Sequence, residues 1–106
     1  MTTTDTLFKA LSDPTRRGLF EQLCREGEKT VGALKANAGV SQPVVSKHLS
    51  VLLRAGLVTN RQDGRQTYYS ADLAALGALT DWTGQMEGFW HSRFDDLDDL
   101  LKRMDQ

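Results

Sequence analysis

The sequence predicts a mainly α-helical chain with one small β-hairpin, in the order α-α-α-α-β-β-α. Three observations carry this. Apolar residues recur at spacings of three and four over most of the 106 residues. The period changes once, between Leu57 and Ser70, where β-branched and aromatic residues flank an Asp-Gly pair. Capping and stop signals divide the rest into four short helices before the hairpin and one long helix after it. The length suits a single domain over residues 1–106. Its core is small enough that burial against a second chain would add stability.

Residues 1–5 are polar and are expected to fray. Leu7, Phe8 and Leu11 then give one apolar face to a brief helix over about 6–11. Asp13 is a good N-cap and Pro14 a good first helical residue, so a second helix runs over 14–26. Leu19, Phe20 and Leu23 face inward on it, Arg16, Arg17, Glu21 and Arg25 face outward, and Gly27 ends it. Thr30 can cap a third, short helix with Val31, Leu34 and Ala38 inward, and Val40 is placed to plug the corner that follows. The fourth helix lies within Ser41–Gly56. Ser41 stands where its hydroxyl can cap, Pro43 sits early where a missing N–H costs little, and Gly56 follows the last turn. Val45, Leu49, Leu52 and Leu53 form its apolar stripe. Gln42, Pro43, Ser46, Lys47, Ser50 and Arg54 form the opposite face, which carries two cations and no acid.

Two strand-like runs follow, 57–61 and 66–70, around the turn Gln62-Asp63-Gly64-Arg65, with Arg61 and Arg65 near its tip. Alternation turns one of Tyr68 and Tyr69 inward. From Ala71 the helical period returns and holds to the end, with Ser70 or Asp72 as its cap. Its stripe includes Leu79, Trp82, Met86, Phe89, Trp90 and Phe94. Gly77, Gly84 and Gly88 each weaken this helix by about 1 kcal/mol relative to Ala, and are expected to mark a kink or the close approach of another helix. So long an apolar helix on so small a domain, together with Leu7, Phe8 and Leu11 of the first helix, predicts a homodimer.

Net charge is −1, but its distribution is uneven. Residues 41–70 hold four cations (Lys47, Arg54, Arg61 and Arg65) against one acid, Asp63, while residues 71–106 hold three against eight. An outer helix face that excludes carboxylates suits phosphates and base edges. Gln42 and Ser46 are candidates for base edges; Lys47, Arg54, Arg61 and Arg65 are candidates for phosphates. Arg16 and Arg17 are expected in intramolecular salt bridges, or one of them on a phosphate. His48 is expected to be a partly buried structural histidine, and Cys24 an inert buried thiol. His91 is expected to pack or face solvent, and the acidic residues Asp95, Asp96, Asp98 and Asp99 to form a solvated face. A single cysteine permits no disulfide within the chain and suits a reducing cytoplasm. No apolar run is long enough to span a membrane. No nucleophile–base pair, phosphate-cradling glycine loop or metal triad points to an enzyme.

Two short helices joined by a Gly-containing turn and followed by a hairpin read as a winged helix-turn-helix. Four stretches carry a family resemblance: Phe8-Lys9-Ala10-Leu11-Ser12-Asp13-Pro14-Thr15-Arg16-Arg17, Ser41 through Leu49, Leu53-Arg54-Ala55-Gly56-Leu57-Val58, and Asp63-Gly64-Arg65-Gln66-Thr67-Tyr68-Tyr69. In order and spacing they resemble the ArsR/SmtB family of bacterial transcriptional repressors, over roughly residues 6–105. The resemblance implies a homodimer that binds double-stranded DNA at a palindromic operator, with the fourth helix in the major groove. Gln42, Pro43, Ser46 and Lys47 match the family's base- and phosphate-contacting positions, and Arg65 matches a wing-tip cation. Pro43 replaces the serine of many members, so that contact becomes apolar. The family's thiolate metal site needs a cysteine pair that Thr30 to Ala38 lacks, and Asp81, Glu87 and His91 fit the spacing of the other metal site poorly. The chain therefore resembles the branch without a recognised metal site or cofactor, whose inducer is unknown. The alternatives are a winged helix that binds proteins and, within the first reading, a metal- or redox-gated repressor.

Overall fold

The computed structural model of the chain describes residues 2–105. The elements follow as α1 (Thr3–Leu11), α2 (Pro14–Glu26), β1 (Lys29–Thr30), α3 (Val31–Lys35), α4 (Gln42–Arg54), β2 (Val58–Asp63) and β3 (Gln66–Ala71). A 3-10 turn at Leu73–Ala75 then leads into α5 (Leu76–Met104).

The first helix begins earlier than polarity alone suggests. The Asp5 amide donates to the Thr2 hydroxyl at 3.1 Å and the Thr2 amide donates to the Asp5 carboxylate at 3.2 Å, a reciprocal capping box. These bonds hold the polar residues 2–5 in place of the expected fraying. Asp13 caps α2 as expected, accepting from the Arg16 amide at 2.9 Å. Ser41 departs from expectation: it occupies the N-cap of α4, but its hydroxyl makes no capping bond. Pro43, the second helical residue, has no N–H to give, which leaves the Val44 amide as the donor for a side-chain cap, and Ser41 does not take it.

The core gathers one or more residues from each short element: Leu7 and Ala10 from α1, Leu19, Phe20 and Leu23 from α2, Leu34 from α3, and Val45, Leu49 and Leu52 from α4. Leu57 and Val58, at the start of the wing, complete it. Two expectations are corrected by helical geometry. Leu53 is 38% exposed; it lies about 80° around the helix from Val45 at 100° per residue, on the rim of the stripe. Leu7, expected at a dimer surface, is 0% exposed within its own chain. It shares the inward face of α1 with Ala10 and leaves Phe8 pointing outward.

The sheet is antiparallel, in the order β1-β3-β2. Its third strand, β1, was not expected: Lys29 pairs with Tyr69 and Thr30 with Tyr68. The hairpin turn is tighter than the expected four-residue turn over 62–65. Asp63 is still in register, opposite Gln66, and only Gly64 and Arg65 form the loop. Gly64 takes φ +63°, a conformation that side-chain-bearing residues resist, at the first of two loop positions. Tyr69 is the tyrosine that packs on the core.

Helix α5 packs on this body through Leu76, Ala78 and Leu79 and through Trp82, whose ring meets Phe8 edge-on at 5.1 Å between centroids. Asp72 accepts from the Ala74 amide at 3.1 Å, capping the 3-10 turn ahead of it. Beyond Trp82 the helix leaves the body, giving extents of 74 × 26 × 23 Å and a radius of gyration of 19.9 Å. A compact chain of this length has a radius of gyration of about 13 Å. Phe89 is 65% and Trp90 60% exposed, and Phe94, Leu97, Leu100, Leu101 and Met104 are open as well. A Cβ added at Gly77, Gly84 or Gly88 meets nothing of this chain within 4 Å, so these glycines mark no close approach inside one copy. Among the described residues no helix is long and apolar enough to cross a membrane.

Candidate nucleic-acid interface

Helix α4 turns Val45, Leu49 and Leu52 into the core and presents Gln42, Pro43, Lys47, Ser50 and Arg54 to solvent, with Ser46 half-buried between them. Residues 42–54 contain no carboxylate. The face is stitched along its length: the Ser50 hydroxyl donates to the Ser46 carbonyl at 3.1 Å, and Arg54 Nε donates to the Ser50 carbonyl at 3.4 Å. At the other end, Gln42 and the wing-tip residue Arg65 line one groove of about 290 Å³, with Thr30, Val31 and Gly32 behind them. The start of α4 and the tip of the wing thus converge, although 22 residues separate them in the chain.

Arg61 is not brought together with these residues. Its guanidinium forms a fork with Glu28, Nε to Oε2 at 2.8 Å and Nη2 to Oε1 at 2.6 Å. It also lies over the Tyr68 ring, 4.6 Å from the centroid. The Ser70 hydroxyl donates to the same Glu28 carboxylate at 3.3 Å. Glu28 is a structural residue that sequence reasoning missed, because it sits 33 positions from its partner with no local pattern to announce the pair.

The Arg61 hydrogen bonds hold the Glu28 carboxyl below the usual carboxylate range, and burial opposes them only partly. A depressed folded-state pKa means that the fork contributes stability above the unfolded value of about 4.5 and loses it as pH falls through the folded value. Thermal melts of wild type and Glu28→Gln between pH 7 and pH 3 are expected to differ at neutral pH and converge on acidification. A gap that does not narrow at all as pH falls below about 4.5 would show that the charge of Glu28 is not what holds the wing.

Arg16 and Arg17, at the start of α2, donate to main-chain carbonyls. Arg16 Nε donates to the Ala10 carbonyl and Nη2 to that of Lys9, while Arg17 Nη1 donates to that of Leu11. These carbonyls lie at the C-terminus of α1, where cations are favoured by the helix dipole; that of Lys9 also accepts from the Ser12 amide and hydroxyl. The third guanidinium nitrogen of Arg16 meets His48 Nδ1 at 3.3 Å. Arginine has no lone pair to offer, so Nδ1 accepts and the imidazole proton sits on Nε2, 4.0 Å from Asp13 Oδ1. His48 is thereby a half-buried strut between α4 and the α1–α2 corner. Cys24, expected to be buried, is exposed; desolvation of the sulfur, and then the charge of Glu21, raise its pKa away from the reactive thiolate.

A helix-turn-helix, a wing, and a second helix whose outer face bears only neutral and cationic groups define a winged-helix DNA-binding protein. A family model described as a helix-turn-helix domain matches residues 11–61. The chain is 41% identical over 90 residues to an HTH-type transcriptional regulator of Mycobacterium tuberculosis, covering 80% of this chain and 83% of that protein. It is 47% identical over 80 residues to a probable mercury resistance operon repressor of Streptomyces lividans, covering 70% of this chain and 63% of that repressor's length. Among solved structures, an ArsR-like transcriptional regulator from a Rhodococcus species matches with a TM-score of 0.78 and 28% identity over 92% of both chains. The chain belongs to the ArsR/SmtB family of winged-helix transcriptional repressors.

Proposed function

We propose that two copies of the chain occupy an inverted-repeat operator and repress transcription by blocking promoter DNA in the cytoplasm, acting as a binder and not as a catalyst. Each copy lays α4 in a major groove and rests the wing tip on neighbouring backbone. Gln42 and Ser46 read base edges, Pro43 meets a thymine methyl, and Lys47, Arg54 and Arg65 hold phosphates, with Ser50 between them. Arg61 stays with Glu28 and outside this set. The observation that carries the proposal is the acid-free face of α4 converging with Arg65 across one groove. The second copy covers the apolar face of α5 together with Phe8 and Leu11, since the edge-on pair of Phe8 and Trp82 continues without a break into Met86, Phe89, Trp90 and Phe94.

The test is a fluorescence-anisotropy titration of the upstream intergenic DNA across a salt series. Three phosphate-binding cations per copy predict that log K falls against log salt with a slope of about −5. Binding that ignores salt would overturn the proposal and favour a protein partner.

A further inference from the structure

We infer that the cleft between α1 and the C-terminal half of α4 binds a small amphipathic organic anion: an apolar body joined to a carboxylate or a phosphate monoester. The cleft holds about 390 Å³, within the range of small-molecule sites. Ala10 on one side and Val51 and Ala55 on the other form an apolar floor. Lys9, Arg16 and Arg54 line it as well, beside Thr6, and no carboxylate does.

Asp13 offsets part of the Arg16 charge, and the potential that Lys9 and Arg54 add in the recess attracts an anion. The roles of the three cations differ. Arg16 is immobilised by the Lys9 and Ala10 carbonyls and by His48, so its charge is a fixed part of the wall. Lys9 and Arg54 form no ion pair among the described residues, and Lys9, which the operator-binding reading leaves unused, stays available to close on a ligand. The floor sets the ligand class. A bare inorganic anion would gain nothing from the partly exposed Val51 and Ala55, whereas an aryl or alkyl group would cover them.

A ligand seated there touches both α1 and α4. If the operator-binding reading above holds, on which this one consequence rests, occupancy and DNA affinity are coupled.

The test uses amide NMR of the full chain without DNA, so it is separate from the salt titration. The probes are 2-naphthoate, its uncharged analogue 2-naphthamide, and inorganic phosphate. Saturable shifts are expected at Thr6, Lys9, Ala10, Val51 and Ala55 with 2-naphthoate. The naphthamide is expected to bind at least about tenfold more weakly, and so is naphthoate to the Lys9→Gln variant, since each loses a charge-assisted contact. Lys9 is an exposed residue outside the core, so this variant tests the site without testing the fold. The inference is overturned by shifts confined to the aromatic face of α5, by equal affinity for the amide, by no loss in Lys9→Gln, or by phosphate binding as tightly as naphthoate.

Discussion

The Gln42→Ala/Lys47→Ala double variant is expected to bind operator DNA at least about a hundredfold more weakly than wild type, with its melting temperature unchanged. Both side chains are exposed and lie outside the core, so the fold has little to lose. A well-made contact to a base edge discriminates by about 1–3 kcal/mol, and the proposed dimer on two half-sites would lose each contact twice. The single variants are expected to fail differently. Gln42→Ala should flatten the preference at one base-pair position in each half-site. Lys47→Ala should weaken all sequences alike and make the salt slope shallower by about 2, one phosphate per copy. Anisotropy titrations on the operator and on point-mutated operators separate these outcomes. If the double variant binds like wild type, α4 is not the element that enters the groove.

The second large effect is expected at α5. In the proposed homodimer, Phe89→Asp with Trp90→Asp places four carboxylates in a symmetric interface that would otherwise bury four aromatic rings. Buried aromatic anchors are worth about 2 kcal/mol or more each, so dimer dissociation should strengthen by more than about a thousandfold. Sedimentation at micromolar concentration is expected to show a dimer for wild type and a monomer for the variant. Both rings stand clear of their own chain's core, so helix content should be preserved. A monomeric wild type, or a variant that stays dimeric, would remove α5 from the interface.

The parts of this molecule legible in its sequence are those whose physics is local. The stripe of Val45, Leu49 and Leu52 follows from a period of 3.6, and Asp13 followed by Pro14 announces the start of α2 within two residues. Expectations failed where the cause was remote or fell below the length of a pattern. Lys29 and Thr30 are too few to show alternation, so β1 was invisible until Tyr68 and Tyr69 supplied its partner. Arg61 read as a free wing cation because Glu28 lies far away in the chain. Ser41 read as a cap by residue type, yet its hydroxyl makes no capping bond, which residue type alone does not reveal. Leu7 and Phe8 are adjacent in sequence and serve opposite faces, a distinction that needs the packing of α1 against the rest of the fold. Within the candidate site, the character of the α4 face was legible from composition alone. The convergence of Gln42 with Arg65 was not, because it depends on how the hairpin folds back toward α3.

The pairing of β1 with β3 has a consequence for how DNA is measured. Residues 29 and 30 lead directly into α3, so the strand that edges the wing is continuous with the helix-turn-helix. The Glu28–Arg61 fork clamps the same seam from β2. The wing is therefore less a flexible arm than the fixed jaw of a caliper, with the start of α4 as the other jaw. A caliper with a set gap accepts only duplexes whose groove width and backbone path match it. On the operator-binding reading proposed above, sequences that are too stiff or too wide are expected to be rejected at base pairs no side chain touches.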